Sequence, residues 1–382
     1  MKSLYLFNPE NDMALAYGGP YYMPPTNIRK MAHDLAALPL WYAQTDGCVW
    51  LPDVRQKKWM EECGFSFKAI GSLKLDSSCE RVAPWGWSPS LIHRMREAGV
   101  REECCPSLER MERIRHLSSR ATAVEILSKM DILGCLGVSE ALYSIEEIIT
   151  FMDKKCCYLL KAPWSGSGRG IQMVEGELTV PLQGWIKHIL KTQGYVVGEL
   201  LYQKVVDFAM EFRAYQGRVS FVGYSFFETD ARGIYKENLL ASDKVIEERL
   251  SAYVSSQVLD QIKCFHEKAL TCMIQDAYEG YLGVDMMICH TENGYAVHPC
   301  VEINLRMNMG TVSRLLYDQY VSSEVPGRFV IEYYSKHGDA VRMHQELQEL
   351  HPLVMKGERI NQGYLSLTPV FEDTSYQAYV LF

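Results

Sequence analysis

The run Tyr158-Leu-Leu-Lys-Ala-Pro-Trp-Ser-Gly-Ser-Gly-Arg-Gly-Ile-Gln-Met-Val174 constrains this chain more than any other stretch. An apolar segment carrying Lys161 enters a loop of Ser165, Gly166, Ser167, Gly168, Arg169 and Gly170, and a second apolar segment leaves it. Glycines at that density let backbone N–H groups approach an anion closely. Lys161 and Arg169 bracket them with positive charge. A P-loop has its lysine after the glycines and then a helix, whereas here the lysine comes first. A dinucleotide fingerprint also feeds a helix, whose N-terminus holds the pyrophosphate. Here the loop gives way to Gly170-Ile-Gln-Met-Val174, which alternates and is β-branched, so it reads as a strand. The loop therefore joins two antiparallel strands as a flap able to close over phosphates.

A second pair of strands complements it. Gly280-Tyr-Leu-Gly-Val-Asp285-Met-Met-Ile-Cys289 and Tyr295-Ala-Val-His-Pro-Cys-Val-Glu302-Ile-Asn304-Leu-Arg306 flank a turn of Glu292, Asn293 and Gly294, the pattern of a hairpin. Glu302 and Asn304 are two positions apart, so both project from one face, and Asp285 on the partner strand can share it. Two carboxylates and an amide oxygen suit Mg²⁺, which takes hard oxygen ligands and shares them with nucleotide phosphates. Arg306 stands beside them.

In this order the motifs resemble the ATP-grasp superfamily. The resemblance runs from about residue 115 to residue 320. It rests on Lys161 before the glycine-rich flap, Tyr195-Val-Val-Gly-Glu199-Leu-Leu201, Glu211-Phe-Arg213, a long amphipathic helix, and Gly283-Val-Asp285 followed by Glu302-Ile-Asn304-Leu-Arg306. Gly198 stands where such proteins often have an acidic residue. The resemblance implies two α+β lobes holding ATP between them, preceded by a small open α/β domain. The expected boundaries are residues 1–112 for that domain, 113–198 for the small lobe with the flap, 199–325 for the large lobe with the metal site, and 326–382 for a C-terminal extension packed on the large lobe.

It also implies roles. Lys161 and the flap would hold phosphates, and Arg120 would reach them from the start of its helix. Glu199 and the backbone near Leu201 would meet the adenine edge, and Asp207 or Glu211 the ribose, a choice the sequence leaves open. Asp285, Glu302 and Asn304 would hold Mg²⁺, with Mn²⁺ able to replace it. Arg213, Arg306, Lys236 and Asn238 would line the γ-phosphate and acceptor pocket.

Composition narrows the setting. The chain has 382 residues, enough for two or three domains. Its net charge of −8 argues against nucleic acid as the main partner. No apolar run reaches about 18 residues, so no membrane span is expected, and the N-terminus turns polar too soon for a signal peptide. The twelve cysteines are scattered without metal-binding spacing, as reduced thiols of a cytoplasmic protein would be. Oligomeric state is not legible.

Taken in order, Leu4–Phe7 reads as a buried first strand running into Asn8, Glu10, Asn11 and Asp12. Open α/β sheets place ligands at that end of a strand, which makes these four a candidate substrate loop. Asn27–Leu38, Val54–Cys63 and Ser90–Ala98 read as helices and Gly47–Leu51 as a strand, the βα alternation of a small open sheet. Ala123, Ile126, Leu127 and Met130 share one helix face. Val254, Val258, Ile262, Phe265, Ala269 and Met273 mark a longer helix whose stripe is core. Tyr364–Val370 and Tyr376–Leu381 look like strands.

The reaction implied is carboxylate activation by ATP as an acyl phosphate, followed by attack of an amine. Its substrates would be small molecules or peptides carrying those two groups. No nucleophilic side chain is needed, which agrees with the absence of a Ser/His/Asp or Cys/His signature. The alternatives are an ATP-grasp kinase, whose acceptor is a hydroxyl or phosphate, and a nucleotide-binding module without catalysis.

Overall fold

The computed structural model describes residues 3–44, 47–65, 68–71, 80–153, 157–165, 170–229 and 235–382. The first unit contains β1 (Ser3–Leu6), α1 (Asn11–Tyr17), α2 (Thr26–Asp34), β2 (Cys48–Trp50), α3 (Val54–Glu62), β3 (Lys68–Ile70), β4 (Arg81–Pro84) and α4 (Pro89–Glu97). Its strands run parallel in the order β3-β2-β1-β4. Leu4, Leu6, Val49 and Val82 are buried in it, as expected of parallel strands covered on both faces. The second helix stops at Asp34 instead of reaching Leu38, and a 3₁₀ turn comes next at Leu38–Trp41. Pro39 explains this, because it has no N–H and disfavours helical geometry in the residue before it. Asp53 starts α3 by accepting from the Arg55 N–H at 2.8 Å, with Gln56 completing a capping box.

Two helices, α5 (Leu108–Leu117) and α6 (Arg120–Lys129), lead into a smaller lobe. It is built from β5 (Ser139–Leu142), α7 (Ile145–Met152), β6 (Cys157–Lys161), β7 (Ile171–Glu175), α8 (Val180–Gln193) and β8 (Val196–Leu200). Its antiparallel sheet has the order β5-β8-β6-β7, with Lys161 opposite Ile171. The glycine-rich segment thus joins two antiparallel strands, as its flanks indicated. This lobe has a core of its own, including Leu142, Ile148, Phe151, Tyr158, Leu160 and Val196.

The remaining chain forms β9 (Gln203–Tyr215), β10 (Arg218–Thr229), β11 (Tyr235–Leu240), α9 (Asp243–Leu250), α10 (Ser256–Ile274), β12 (Gly280–Thr291), β13 (Gly294–Asn304) and α11 (Met309–Tyr320). After these come β14 (Gly327–Tyr333), α12 (Asp339–Leu350), β15 (Val354–Lys356), β16 (Arg359–Gln362), β17 (Tyr364–Ser366) and β18 (Tyr376–Leu381). The main sheet has eight strands in the order β13-β12-β9-β10-β11-β14-β18-β17. On one face Phe208, Met210 and Phe212 pack with Leu259, Ile262, Leu270 and Ile274 of α10. That helix begins at Ser256 because Ser255 caps it, accepting from the Val258 N–H. The other face of the same strands carries the polar residues of the candidate site.

The segment expected as a C-terminal extension supplies strands β14, β18 and β17 of this sheet and also reaches the first unit. Trp41 donates its indole N–H to the Leu367 carbonyl at 2.7 Å, and Asp34 accepts from the backbone of Ser375 and Tyr376 at 2.8 and 3.1 Å. One apolar cluster joins Leu35, Leu38 and Trp41 to Leu316, Phe329 and Val380. Among the described residues no helix is long and apolar enough to cross a membrane, and the cysteines are free thiols.

Candidate active site

The hairpin of β12 and β13 places Asp285 directly opposite Glu302, and Gly283 opposite Asn304. On the other side of β12, Gly283 also faces Glu211 of β9. Strand alternation therefore brings Glu211, Asp285, Glu302 and Asn304 to one face. Asn304 donates its amide N–H to Asp285 Oδ2 at 3.0 Å, which leaves Asn304 Oδ1 for another partner. Glu211 is clasped by the first turn of α11, accepting from Asn308 Nδ2 and Thr311 Oγ1, each at 2.8 Å. Room for that clasp depends on two glycines. A Cβ on Gly283 would run into Asn308 and Glu211, and one on Gly310 into Glu211 and Ser225.

These carboxyls crowd one another. Burial, reinforced by Glu302 and then Glu211, pushes Asp285 up to about 8. Burial pushes Glu211 up to about 7 against the pull of Asn308 and Thr311. A divalent cation would relieve this repulsion, so the donor set fits one with few protein ligands, as Mg²⁺ takes. Among the described residues no cluster of three His, Cys, Asp or Glu forms a metal site. The oxygen donors on this face are the Asp285 and Glu302 carboxylates and the Asn304 amide.

Cationic groups surround it. Arg120, almost fully buried, donates to Glu302 Oε2 at 2.8 Å, to the Ala162 carbonyl at 2.6 Å and to Ser165 Oγ at 2.7 Å. One guanidinium thus ties strand β13 to the root of the flap, and Glu302 keeps its other oxygen. Arg306 forms a two-toothed pair with Asp12, at 2.8 and 2.7 Å. Burial works against the charge on Arg306, but Asp12 outweighs it and raises the pKa. Lys161 and Glu199 make a buried ion pair at 2.6 Å. His298 lies 3.9 Å from the other Glu199 oxygen with both ring nitrogens lacking a hydrogen-bond partner, and burial lowers its pKa.

No family model matches the chain, and no curated protein matches it in sequence. Solved structures do match. N5-carboxyaminoimidazole synthetase from Staphylococcus aureus, complexed with ADP, aligns over 100% of this chain and 93% of its own, with 12% identity and a TM-score of 0.52. Biotin carboxylase from Campylobacter jejuni, complexed with β,γ-ATP, aligns over 100% and 87%, with 13% identity and a TM-score of 0.57. Both are ATP-grasp structures. The chain has the ATP-grasp fold. A third match is the biotin carboxylase domain of 2-oxoglutarate carboxylase from Hydrogenobacter thermophilus, in complex with MgADP, ADP and bicarbonate, at 13% identity and a TM-score of 0.55 over 100% of this chain and 86% of that one.

Within this ATP-grasp frame, Lys161, Arg120, Ser165, Glu199, Glu302, Asp285, Asn304 and Arg306 lie along the junction of the two lobes and the first unit. The flap residues Gly166, Ser167, Gly168 and Arg169 lie outside the described residues. Leu201 gives its N–H to the Cys157 carbonyl at 3.3 Å, so that donor is already engaged. Glu199 is likewise occupied by Lys161. Asp207 shares the polar face, in register with Met287, and accepts from Lys204 and Thr229. Glu211 is directed to Asn308 and Thr311 at the start of α11.

Other expected residues go elsewhere. Asn238 is buried against Ser225 and Tyr235, while Lys236 is exposed, with Glu228 at 4.0 Å. Arg213 does not join the carboxylates. Its guanidinium lies over Tyr215 and Tyr281, on a cavity wall. The residues expected as a substrate loop make bonds within the first unit. Asn8 exchanges hydrogen bonds with Gly86, Asn11 donates to the Trp87 carbonyl, and Glu10 pairs with Arg94 at 3.1 Å. These three clip the first strand to the α4 segment, and the chain is already helical from Asn11. Asp12 pairs with Arg306, and Asn11 and Asp12 together line a small pocket with Glu302, Asn304 and Arg306.

Sequence reasoning missed His298 and the Asn308–Thr311 clasp. The Asn-x-x-Thr start of a helix right after Glu302-Ile-Asn304 was the available signal for the clasp. His298 sits in an apolar run and gave none.

Proposed function

We propose that the chain is an ATP- and Mg²⁺-dependent ligase that activates a carboxylate and joins it to an amine. The observation that carries this reading is the apposed pair Asp285–Glu302 with Asn304, bordered by Arg120, Arg306 and Lys161 in an ATP-grasp fold. Fold likeness supplies the reaction class and the site supplies the roles.

Asp285, Glu302 and Asn304 would hold Mg²⁺, whose contribution when bound is to neutralise charge on the phosphates. Arg120 fixes Glu302 and, through Ser165 and Ala162, sets the flap root against the metal strand. Lys161 and Arg306 supply positive charge to the transferring phosphoryl group. A substrate carboxylate oxygen bonds to the γ-phosphorus as the bond to ADP breaks. The amine nitrogen then bonds to the acyl carbon, phosphate departs with the bonding electrons, and the nitrogen loses a proton. Closure of the lobes keeps water from the acyl phosphate between these steps.

Thermal unfolding with ATP, ADP, GTP and NAD, each with and without Mg²⁺, tests the reading. A ligand bound only by the folded state raises the unfolding midpoint. The expected result is a Mg²⁺-dependent rise with ATP and none with NAD, abolished in Glu302→Gln. Lys161→Ala should lower ATP affinity at least tenfold. That variant also leaves Glu199 buried without its partner, which costs about 3–5 kcal/mol. Lys161→Met combined with Glu199→Gln is therefore the fair comparison. Equal shifts with and without Mg²⁺, or none with any nucleotide, would remove the proposal.

A further inference from the structure

A cavity lies between the first unit and the large sheet, with a volume of about 150 Å³. It adjoins a wider cleft of about 590 Å³ with which it shares Arg81, Trp87, Arg213 and Tyr278. Tyr5, Tyr42, Trp87, Tyr215, Tyr278 and Tyr281 provide its aromatic surface, and Met307 lies at the side nearest Arg306. The Met307 N–H donates to the Trp85 carbonyl at 2.8 Å, closing the wall toward the Asp12–Arg306 pair. Tyr281 is four positions from Asp285 on β12, roughly 13 Å at the rise of a strand. The cavity is thus distinct from the phosphoryl-transfer site.

Two observations describe what would fill it. Arg213 has no acidic partner among the described residues and stacks at 5.2 and 5.7 Å from the Tyr215 and Tyr281 rings, whereas Arg81 is held by Glu279 at 3.3 Å. A planar guanidinium presented by aromatic rings matches a carboxylate. The volume suits one ring, since an apolar cavity of about 150 Å³ takes benzene. Aromatic walls with a few converging polar groups are the usual composition of a small-molecule site.

We propose that this cavity binds a single-ring aromatic carboxylate. The ring lies among the tyrosines and the carboxylate on Arg213. This site stands on its own geometry and does not depend on the ligase reading.

Isothermal titration of the full chain without nucleotide, using benzoate and benzamide, tests it. The expected result is that benzoate binds, that the amide binds at least tenfold more weakly, and that Arg213→Met lowers affinity for the acid at least tenfold. Absence of acid binding up to millimolar concentration, equal binding of acid and amide, or an unchanged affinity in Arg213→Met would overturn the proposal. Arg213 is exposed, so the variant should fold. The comparison of acid with amide on the unmodified chain decides the matter even if it does not.

Discussion

Asp285 sits wholly inside the protein with Glu302 across the hairpin and Glu211 near it, and its carboxyl is pushed up to about 8 by burial and by those two neighbours. The consequence for stability has a definite sign. An unfolded aspartate loses its proton near pH 4, whereas the folded one keeps it to about 8. Over that window the native metal-free chain binds more protons than the unfolded chain, so stability falls as pH rises through it. Urea denaturation at pH 5 and pH 8 should show this decline. Asp285→Asn should flatten it and raise stability at pH 8, while removing the Mg²⁺ dependence of nucleotide binding. A steeper decline in the variant, or an unchanged one, would mean that another group is responsible.

The strands and helix around Glu211 show how elements cooperate. Helix α11 starts with Asn308 accepting from the Thr311 N–H at 2.7 Å while its amide donates to Glu211. One side chain therefore caps a helix and orients a carboxylate on another strand. The close approach requires no Cβ at Gly310, where an added methyl would overlap Glu211 and Ser225. Neither Glu211 nor the backbone of α11 has space to yield, since both are buried. Gly310→Ala should therefore destabilise the protein by about 1–3 kcal/mol, the usual penalty for overpacking. Alanine at Gly184, on exposed helix α8 with nothing within 4 Å, should be tolerated or mildly stabilising. Chemical denaturation of the two variants makes the comparison, and equal midpoints would contradict the packing argument.

Across the whole molecule, cohesion is unevenly distributed. The first unit, the large sheet and the C-terminal strands share apolar clusters, with Phe7 and Leu38 in the same one as Phe329 and Val380. The smaller lobe has a separate cluster around Ile148, Phe151 and Tyr158. Its links to the rest include Arg120 and the backbone pairing of Leu136 with Val297 at 2.8 Å. Hydrogen exchange should then show the small-lobe strands β5 to β8 opening at lower free energy than β9, β10 and β12. Mg²⁺ and ATP should protect the small lobe most, because nucleotide would add contacts between the two bodies. Uniform protection across all sheets would contradict this division.

What the sequence determined by itself was local and periodic. An apolar run announced β6, alternation β7, and the strand-turn-strand pattern β12 and β13, while the stripe at three- and four-residue spacing announced α10. The two-residue spacing of Glu302 and Asn304 put both on one face before any contact was known. Helix ends were less legible, since Pro39 and the Ser255 cap moved two of them. Only the tertiary structure decided which polar groups meet. Arg120 reaches Glu302 across 182 positions of chain, Arg306 reaches Asp12 across 294, and Lys161 reaches Glu199 across 38. It also drew Asn8, Glu10 and Asn11 inward as clips, and turned Arg213 to the aromatic cavity. The physical reason is that a residue's period reports which face it occupies, while its partner depends on how separate elements dock. Docking is settled by burial of apolar surface distributed along the whole chain.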